Sequence, residues 1–253
     1  MPAYDYSKLA DIYDDFCVWD DDIGYFLDAA AAARGPVLEL MAGTGRVTMP
    51  MLGAGADLTC VDSSPSMLEV LSRKLAGRTR RARLVCGDVG ALPLERAFDL
   101  VVLPFRGFNE LVGEASQLAA LSETARVLKA GGSFICTAHN PAVRGPAADG
   151  SWREVGRFQG REGRTVALRL KTALSRQPGV VVGEQRVEVF DAGGRLLERR
   201  RVALEFSLVP ARELVAMAGS VGLRLVRLVG DWNGAPFDEA SSPNLIAIFE
   251  KMG

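Results

Sequence analysis

Two glycines that follow a short apolar run form the first candidate ligand-binding segment of the chain. Residues 37–41 are apolar apart from Glu39, and Gly43 and Gly45 come soon after them, at the start of a predicted helix. Glycine lets the backbone approach a ligand closely, and the first N–H groups of a helix have no partner within the helix. The segment therefore predicts a loop whose backbone N–H groups contact a ligand.

Acidic side chains at the ends of the next two apolar runs would extend this site to a nucleoside. Asp62 ends residues 57–62, where a carboxylate can accept hydrogen bonds from both ribose hydroxyls. Asp88 follows residues 84–86, where a carboxylate can accept from an adenine amino group. One such acid alone is commonly a helix or turn cap, but the acids and glycines together rarely coincide by chance. The set predicts a site for a nucleoside-containing ligand.

A dinucleotide such as NAD is the alternative ligand for this segment. The dinucleotide fingerprint needs a third glycine, and Thr48 occupies that position here. Thr48 and Asp88 together disfavour an NAD-dependent oxidoreductase.

These side chains need a scaffold that brings the ends of several strands to one edge. Apolar runs of strand length alternate with helical patterns along most of the chain, which predicts a parallel sheet covered on both faces. The predicted strands are residues 37–41, 57–62, 84–86, 98–103, 133–137, 225–229 and 245–250. The predicted fold is therefore α/β, with a doubly wound seven-stranded sheet.

Residues 146–208 interrupt this alternation. Apolar and polar side chains alternate there with a period of two, which predicts antiparallel strands with one face open to solvent. We expect residues 1–145 and 209–253 to form the ligand-binding α/β domain and residues 146–208 to form an inserted antiparallel cap. An exposed strand edge in this cap would favour pairing with a second subunit as a homodimer.

Two helices are predicted ahead of the first strand. The second spans residues 22–34 and stops at Gly35-Pro36. The first is short, with Ser7 as its predicted cap. Its apolar face is formed by Leu9, Ile12, Tyr13 and Phe16.

The composition of the chain disfavours several kinds of partner and location. A net charge of -1 gives no electrostatic case for a nucleic-acid partner. The start of the chain lacks a secretion signal, and no apolar run approaches the roughly 20 residues that span a bilayer. No cysteine pair has zinc-site spacing, so we expect buried free thiols, no metal and a cytoplasmic protein. The cysteines are Cys17, Cys60, Cys86 and Cys136.

The ordered motifs resemble those of class I S-adenosylmethionine-dependent methyltransferases over essentially the whole chain. The matching segments are VLELMAGTGRV (37–47), VDSSPSML (61–68), GDV (87–89), FDLVVLPF (98–105) and LKAGGSFI (128–135). YSKLADIYDDF (6–16), PFRGFNEL (104–111) and the inserted strands resemble small-molecule members such as the aminosugar N-methyltransferases. That family typically has cysteine or glycine where this chain has Ala42.

The resemblance implies that S-adenosylmethionine is the cofactor and that a small-molecule amine or hydroxyl is the methyl acceptor. Gly43 and Gly45 would let the methionine part of the cofactor pass, Asp62 would hold the ribose, and Asp88 with the Val89 N–H would bind the adenine. The N-terminal helix would cover the cofactor, and the insertion would shape the acceptor pocket. Further cofactor contacts are implied for Tyr13, Glu39, Ala42, Arg46, Ser63, Met67 and Leu103.

His139 is the only histidine of the chain and the predicted catalytic residue. It lies just past the fifth strand, and ligands bind at the carboxyl ends of strands in this architecture. Its ordinary pKa of about 6.5 suits proton acceptance near neutrality. We expect His139 to position or deprotonate the acceptor, with Phe105, Asn109 and Glu110 as further acceptor contacts; a loop or capping histidine is the alternative.

Two other functions stay open at the level of sequence. A nucleic-acid methyltransferase is disfavoured because amino-methylating enzymes of that kind usually carry Asn or Asp followed by Pro-Pro and an aromatic residue. This chain has Leu103-Pro104-Phe105 at that place. A non-catalytic cofactor-binding protein is compatible with the sequence, because methyl transfer has no obligatory catalytic residue.

Overall fold

The computed structural model describes residues 4–76, 81–95 and 97–253. It contains a seven-stranded sheet in the order β10-β11-β5-β4-β1-β2-β3 and a four-stranded sheet in the order β6-β7-β8-β9. The strands are β1 (Val37–Leu40), β2 (Leu58–Asp62), β3 (Ala82–Cys86), β4 (Phe98–Leu103), β5 (Leu128–His139), β6 (Asp149–Gln159), β7 (Thr165–Leu174), β8 (Val180–Phe190), β9 (Leu196–Ser207), β10 (Leu223–Val229) and β11 (Asn244–Lys251).

The predicted α/β class with a seven-stranded sheet and an inserted antiparallel sheet is confirmed. Strands β1 to β5 pair in parallel, whereas β11 runs antiparallel to both β5 and β10. The α-helices are α1 (Tyr13–Phe16), α2 (Ile23–Ala32), α3 (Thr48–Gly53), α4 (Pro65–Lys74), α5 (Glu114–Val127), α6 (Pro141–Arg144) and α7 (Ala211–Ser220). None of the helices in the described ranges is long and apolar enough to cross a membrane.

Helices cover both faces of the seven-stranded sheet because its central strands are apolar on both sides. Alternate residues of a strand point to opposite faces. Leu38 and Val101 therefore belong to the core that includes Leu121 of α5. Val37 and Val102 belong to the opposite core, which includes Phe26, Met51 and Leu71 from α2, α3 and α4. This double packing fixes the carboxyl ends of β1, β2 and β4 along one edge.

The four-stranded sheet, which we call the roof sheet, packs on the N-terminal segment (Tyr4–Cys17). Val166 and Leu168 of β7 and Val187 of β8 are buried against Leu9, Ile12 and Phe16 in a third core. Arg200 of β9 also donates to both carboxylate oxygens of Asp11, at 2.5 and 2.9 Å. The N-terminal segment is therefore fixed to the roof sheet by apolar packing and by charge.

The predicted first helix is largely absent. The segment has a 3₁₀ turn at Tyr6–Lys8 and only the four-residue α1, and Ser7 is not a helix cap because its own N–H donates to Asp5. No side chain caps α1, and helices this short are marginal by themselves. Packing of the predicted apolar residues on the roof sheet holds the segment instead.

The expectation of buried thiols is wrong for one cysteine. Cys17, Cys60 and Cys136 are free and buried, but Cys86 is free and exposed. Cys86 is the last residue of β3, which is an edge strand of the seven-stranded sheet.

Candidate active site

The glycine loop after β1 is held in place by the carboxylate of Asp62. Gly43 and Gly45 adopt positive φ angles of 56° and 90°. A Cβ at Gly45 would lie 2.4 Å from Leu71 Cδ1, so this position requires glycine for space as well as for conformation. Asp62 at the end of β2 accepts from the Gly43 N–H at 2.7 Å and from the Ser64 N–H at 2.8 Å. The ends of β1 and β2 are therefore joined through one buried acid.

Four of the predicted cofactor contacts are buried residues of the glycine loop, of β1 and β4, and of α4. Glu39 is buried and accepts from the Thr48 hydroxyl at 2.6 Å, and burial raises the pKa of its carboxyl to about 8. Ala42 donates its N–H to the Val61 carbonyl, and the Met67 and Leu103 side chains are buried. All four side chains are therefore part of the packed interior.

A cleft of about 700 Å³ opens at the ends of β1, β2 and β3. We call it the strand-end cleft. Ser63, Asp88 and Val89, all predicted as cofactor contacts, line it together with Met41. The Asp88 carboxylate is exposed and accepts from the Gly90 N–H at 2.7 Å. The sequence analysis missed Met41, whose φ of 54° is unusual for a residue with a side chain.

A second cavity, the inner pocket, lies under the roof sheet and has a volume of about 230 Å³. Phe105, Asn109 and His139, the predicted acceptor contacts, line it, and so does Tyr13, which was predicted to contact the cofactor. The roof sheet contributes Leu168, Leu170, Gln185, Leu204 and Phe206.

The inner pocket and the strand-end cleft meet at four residues that line both. They are Tyr4, Tyr6, Glu110 and Glu205. On another side, the inner pocket adjoins an outer cavity of about 470 Å³, and Arg106, His139 and Arg144 line both of these.

Glu110 is a half-buried residue at the meeting of the cleft and the inner pocket. The Tyr6 hydroxyl donates to its Oε1 at 2.5 Å. Burial raises the pKa of Glu110 to about 7, although the Tyr6 hydrogen bond acts in the opposite direction. Glu110 is the last residue of the 3₁₀ turn Gly107–Glu110, which follows β4. Phe105 and Arg106, just before this turn, adopt left-handed φ angles of 53° and 62°. The sequence suggested only an acceptor contact here, because burial of Glu110 by the N-terminal segment is not visible in the local sequence.

His139, expected just past the fifth strand, is the last residue of β5 and lines the inner pocket. The backbone N–H of His139 donates to Asn109 Oδ1 at 2.7 Å, and the centre of its imidazole ring lies 5.9 Å from the centre of the Phe206 ring. Burial and the nearby positive charges of Arg106 and Arg144 lower the pKa of His139 to about 3. Its imidazole is therefore neutral at physiological pH, and its protonated form is strongly disfavoured.

Asn109 and Arg46 have structural partners. The Asn109 amide connects the His139 backbone to the Ser207 carbonyl at the end of β9. Arg46 donates to both carboxylate oxygens of Asp22, at 2.5 and 2.6 Å, and its guanidinium lies 4.7 Å from the centre of the Phe105 ring. Both side chains therefore hold elements around the two cavities together.

Residues 37–132 match the family described as a methyltransferase domain. Demethylmenaquinone methyltransferase from Renibacterium salmoninarum is 35% identical over 126 residues, 47% of this chain and 48% of that protein. The chain thus spans about half the length of this relative. Cypemycin N-terminal methyltransferase from a Streptomyces species is 28% identical over 218 residues, 85% of this chain and 83% of that protein.

One solved structure extends the similarity to the whole chain. The CcbJ methyltransferase from Streptomyces caelestis superposes with a TM-score of 0.77 at 25% sequence identity. The superposition covers 97% of this chain and 96% of that chain, so it includes the roof sheet as well as the matched domain.

The raised pKa of the half-buried Glu110 predicts a specific pH dependence of stability. Its folded-state pKa of about 7 exceeds the ordinary value of 4.5, so the folded protein keeps a proton that the unfolded chain loses. The free energy of unfolding should therefore fall as the pH rises from about 4.5 to 7. The glutamine of Glu110→Gln cannot ionise, so this variant should show a shallower decline of the free energy of unfolding with pH. Glu69→Gln, at an exposed position, is the control and should leave the decline unchanged. Urea denaturation between pH 5 and 8 measures this, and equal slopes for wild type and Glu110→Gln would refute it.

Proposed function

We propose that this chain, which belongs to the class I S-adenosylmethionine-dependent methyltransferases, transfers a methyl group to an amine or hydroxyl of a small molecule. One observation carries the proposal. The strand-end cleft, where the cofactor would bind, meets the inner pocket at Tyr6 and Glu110. A methyl group presented from the cleft would therefore face an acceptor held under the roof sheet.

The lining of the strand-end cleft fits an adenosine-containing cofactor, together with Gly43 and Asp62, which do not line the cleft but lie close in the chain to its residues Met41 and Ser63. Apart from the two neighbours of Gly43 in the chain, no atom of the described residues lies within 4 Å of the position that a Cβ of Gly43 would occupy, so the loop leaves space against its backbone. Asp62 would accept from the ribose hydroxyls, because each carboxylate oxygen keeps acceptor capacity beyond the one N–H that it holds. Asp88 and the Val89 N–H would bind the adenine, and Met41 offers apolar surface beside it.

Bound in this cleft, S-adenosylmethionine would supply a methyl group that its sulfonium already activates. The protein then has to align the acceptor and exclude water. Tyr4 and Tyr6 cover the meeting point from the N-terminal segment, and Leu168 and Leu204 of the roof sheet line the inner pocket with apolar surface. A base is needed where the acceptor arrives protonated.

We assign the proton-accepting role to Glu110 in place of His139. Glu110 lines both cavities, and a pKa of about 7 is well matched to a base working near neutrality. His139 lines only the acceptor side, and burial beside Arg106 and Arg144 disfavours the protonated imidazole that a base must become. In this proposal His139 positions the acceptor.

The acidic meeting point supports an amine as the acceptor. Glu110 and Glu205 lie beside the place where the methyl group would be presented, and carboxylates complement an ammonium group before it loses its proton. The inner pocket of about 230 Å³ admits only a small group under the roof sheet, which supports a small-molecule acceptor.

We extend the proposal to a cytoplasmic homodimer. Free thiols at the four cysteines support a reducing compartment. β6 and β9 are the edges of the roof sheet, and an open edge can pair with another chain. Light scattering of the purified protein should give twice the mass of one chain, and a monomer at tens of micromolar would contradict the dimer.

Asp62→Ala should weaken the binding of S-adenosylhomocysteine on the order of 100-fold or more. Each hydrogen bond to a charged carboxylate is worth on the order of 1.5–3 kcal/mol, and two would be lost. Asp99→Ala is the matched control, because Asp99 pairs with Lys129 at the opposite end of the sheet. Calorimetry with S-adenosylhomocysteine measures the affinity of both variants. If Asp62→Ala binds it with normal affinity, Asp62 does not contact the cofactor and has a structural role only.

Glu110→Gln should lower kcat on the order of 100-fold or more while the affinity for S-adenosylhomocysteine stays normal. Wild-type turnover of an amine found by screening should show a rise centred near pH 7 as Glu110 ionises, and Glu110→Gln should lose this rise and keep only the one at higher pH from deprotonation of the amine itself. His139→Gln should raise KM for the amine and keep the pH profile. The assignment would be reversed if His139→Gln abolished the rise and Glu110→Gln kept it.

A further inference from the structure

The inner pocket has opposite charges on its two sides. Glu110 and Glu205 lie on the side that it shares with the strand-end cleft. Arg106 and Arg144 lie on the side that it shares with the outer cavity. The proposed methyl-transfer step assigns no role to either arginine.

Arg144 is a half-buried cation without an acidic partner. Its guanidinium lies 5.2 Å from the centre of the Phe206 ring, and no carboxylate of the described residues forms an ion pair with it. Other arginines around the roof sheet are paired, for example Arg153 with Asp149 and Arg200 with Asp11. Burial and the charges of Arg153 and Arg106 lower the pKa of Arg144, so its surroundings repel its own charge.

Arg106 is held in a fixed orientation next to the same pocket. Its backbone has a left-handed φ of 62°, which is uncommon for a side-chain-bearing residue, and its N–H donates to the Thr137 hydroxyl at 2.8 Å. Its Nε and Nη2 donate to Asn244 Oδ1 at 3.1 and 2.7 Å. Within the described residues, Nη1 has no hydrogen-bond partner.

The acids of the outer cavity do not neutralise this pair. Asp22 is engaged by Arg46, and Glu154 is engaged by Arg157 and Arg169. Asp21 is exposed, and its charge acts on Arg106 without forming an ion pair. Asp21 and Asp22 thus offset part of the charge on Arg106, but no carboxylate of the described residues forms an ion pair with either guanidinium group.

We propose that Arg106 and Arg144 bind an oxyanion of the methyl acceptor, a carboxylate or a phosphate, while the amine of the same molecule lies at Glu110. This rests on the proposed methyl transfer and names its substrate class as a small amine that carries an anionic group. Guanidinium groups suit such oxyanions because their planar N–H donors can bind two oxygens at once. In this pose the oxyanion lies where the inner pocket adjoins the outer cavity, a boundary that His139 and Trp19 also line.

The test uses three amine probes of similar size with the full-length protein in the presence of S-adenosylhomocysteine. They are 4-aminobutyrate, O-phosphoethanolamine and butylamine, which carry a carboxylate, a phosphate and no anion. Calorimetry should show at least tenfold tighter binding of one anionic probe than of butylamine, and which probe wins identifies the oxyanion. Arg144→Gln should remove this preference, and Arg106→Lys should weaken it. Arg176→Gln, at an exposed loop position outside the pocket, should keep it.

Two outcomes overturn the oxyanion site. One is binding of the three probes with equal affinity, or of none of them, and the other is a preference that survives Arg144→Gln. Methyl transfer to the probes from labelled S-adenosylmethionine is measured separately. Arg144-dependent binding without any transfer would contradict the proposed function and leave the oxyanion site standing. Transfer to butylamine as fast as to the anionic probes would support the function and contradict the site.

Discussion

Apolar packing between the N-terminal segment and the roof sheet is the interaction on which the two cavities depend. Leu9, Ile12 and Phe16 are almost fully buried there. Burial of each such side chain contributes on the order of 1.5–3 kcal/mol, whereas a partly exposed ion pair such as Arg200–Asp11 contributes on the order of 0–1 kcal/mol. The packing therefore decides where the segment lies, and the ion pairs adjust its orientation. Without it, Tyr6 would not cover Glu110.

The same burial sets the chemistry of the site through opposite effects on an acid and a base. Water exclusion disfavours the charged form of either group, so it raises the pKa of Glu110 and lowers that of His139. Arg106 and Arg144 lie close enough to His139 to reinforce the effect on the imidazole. The inner pocket thus has an acidic side toward the strand-end cleft, where we propose that the proton is accepted, and a positive side toward the outer cavity.

The fold could be predicted from the sequence because apolar strands, turn glycines and strand-end acids are local signals. Ser63, Asp88 and Val89 line the strand-end cleft and His139 lines the inner pocket, in keeping with that strand-end logic. The proposed roles of Glu110 and His139 could not be predicted from the sequence, because they depend on contacts between distant residues. Tyr6 and Glu110, for example, are 104 residues apart in the chain. The broken N-terminal helix and the exposed Cys86 likewise depend on packing and on strand order.

The central claim is that the strand-end cleft and the inner pocket form one reaction chamber joined at Glu110. A crystal structure with S-adenosylhomocysteine and O-phosphoethanolamine tests it most directly. The account predicts the nucleoside along Ser63, Asp88 and Val89, and the amine within hydrogen-bonding distance of Glu110. It would be contradicted by a nucleoside bound outside the strand-end cleft, or by an amine that lies beside His139 and away from Glu110.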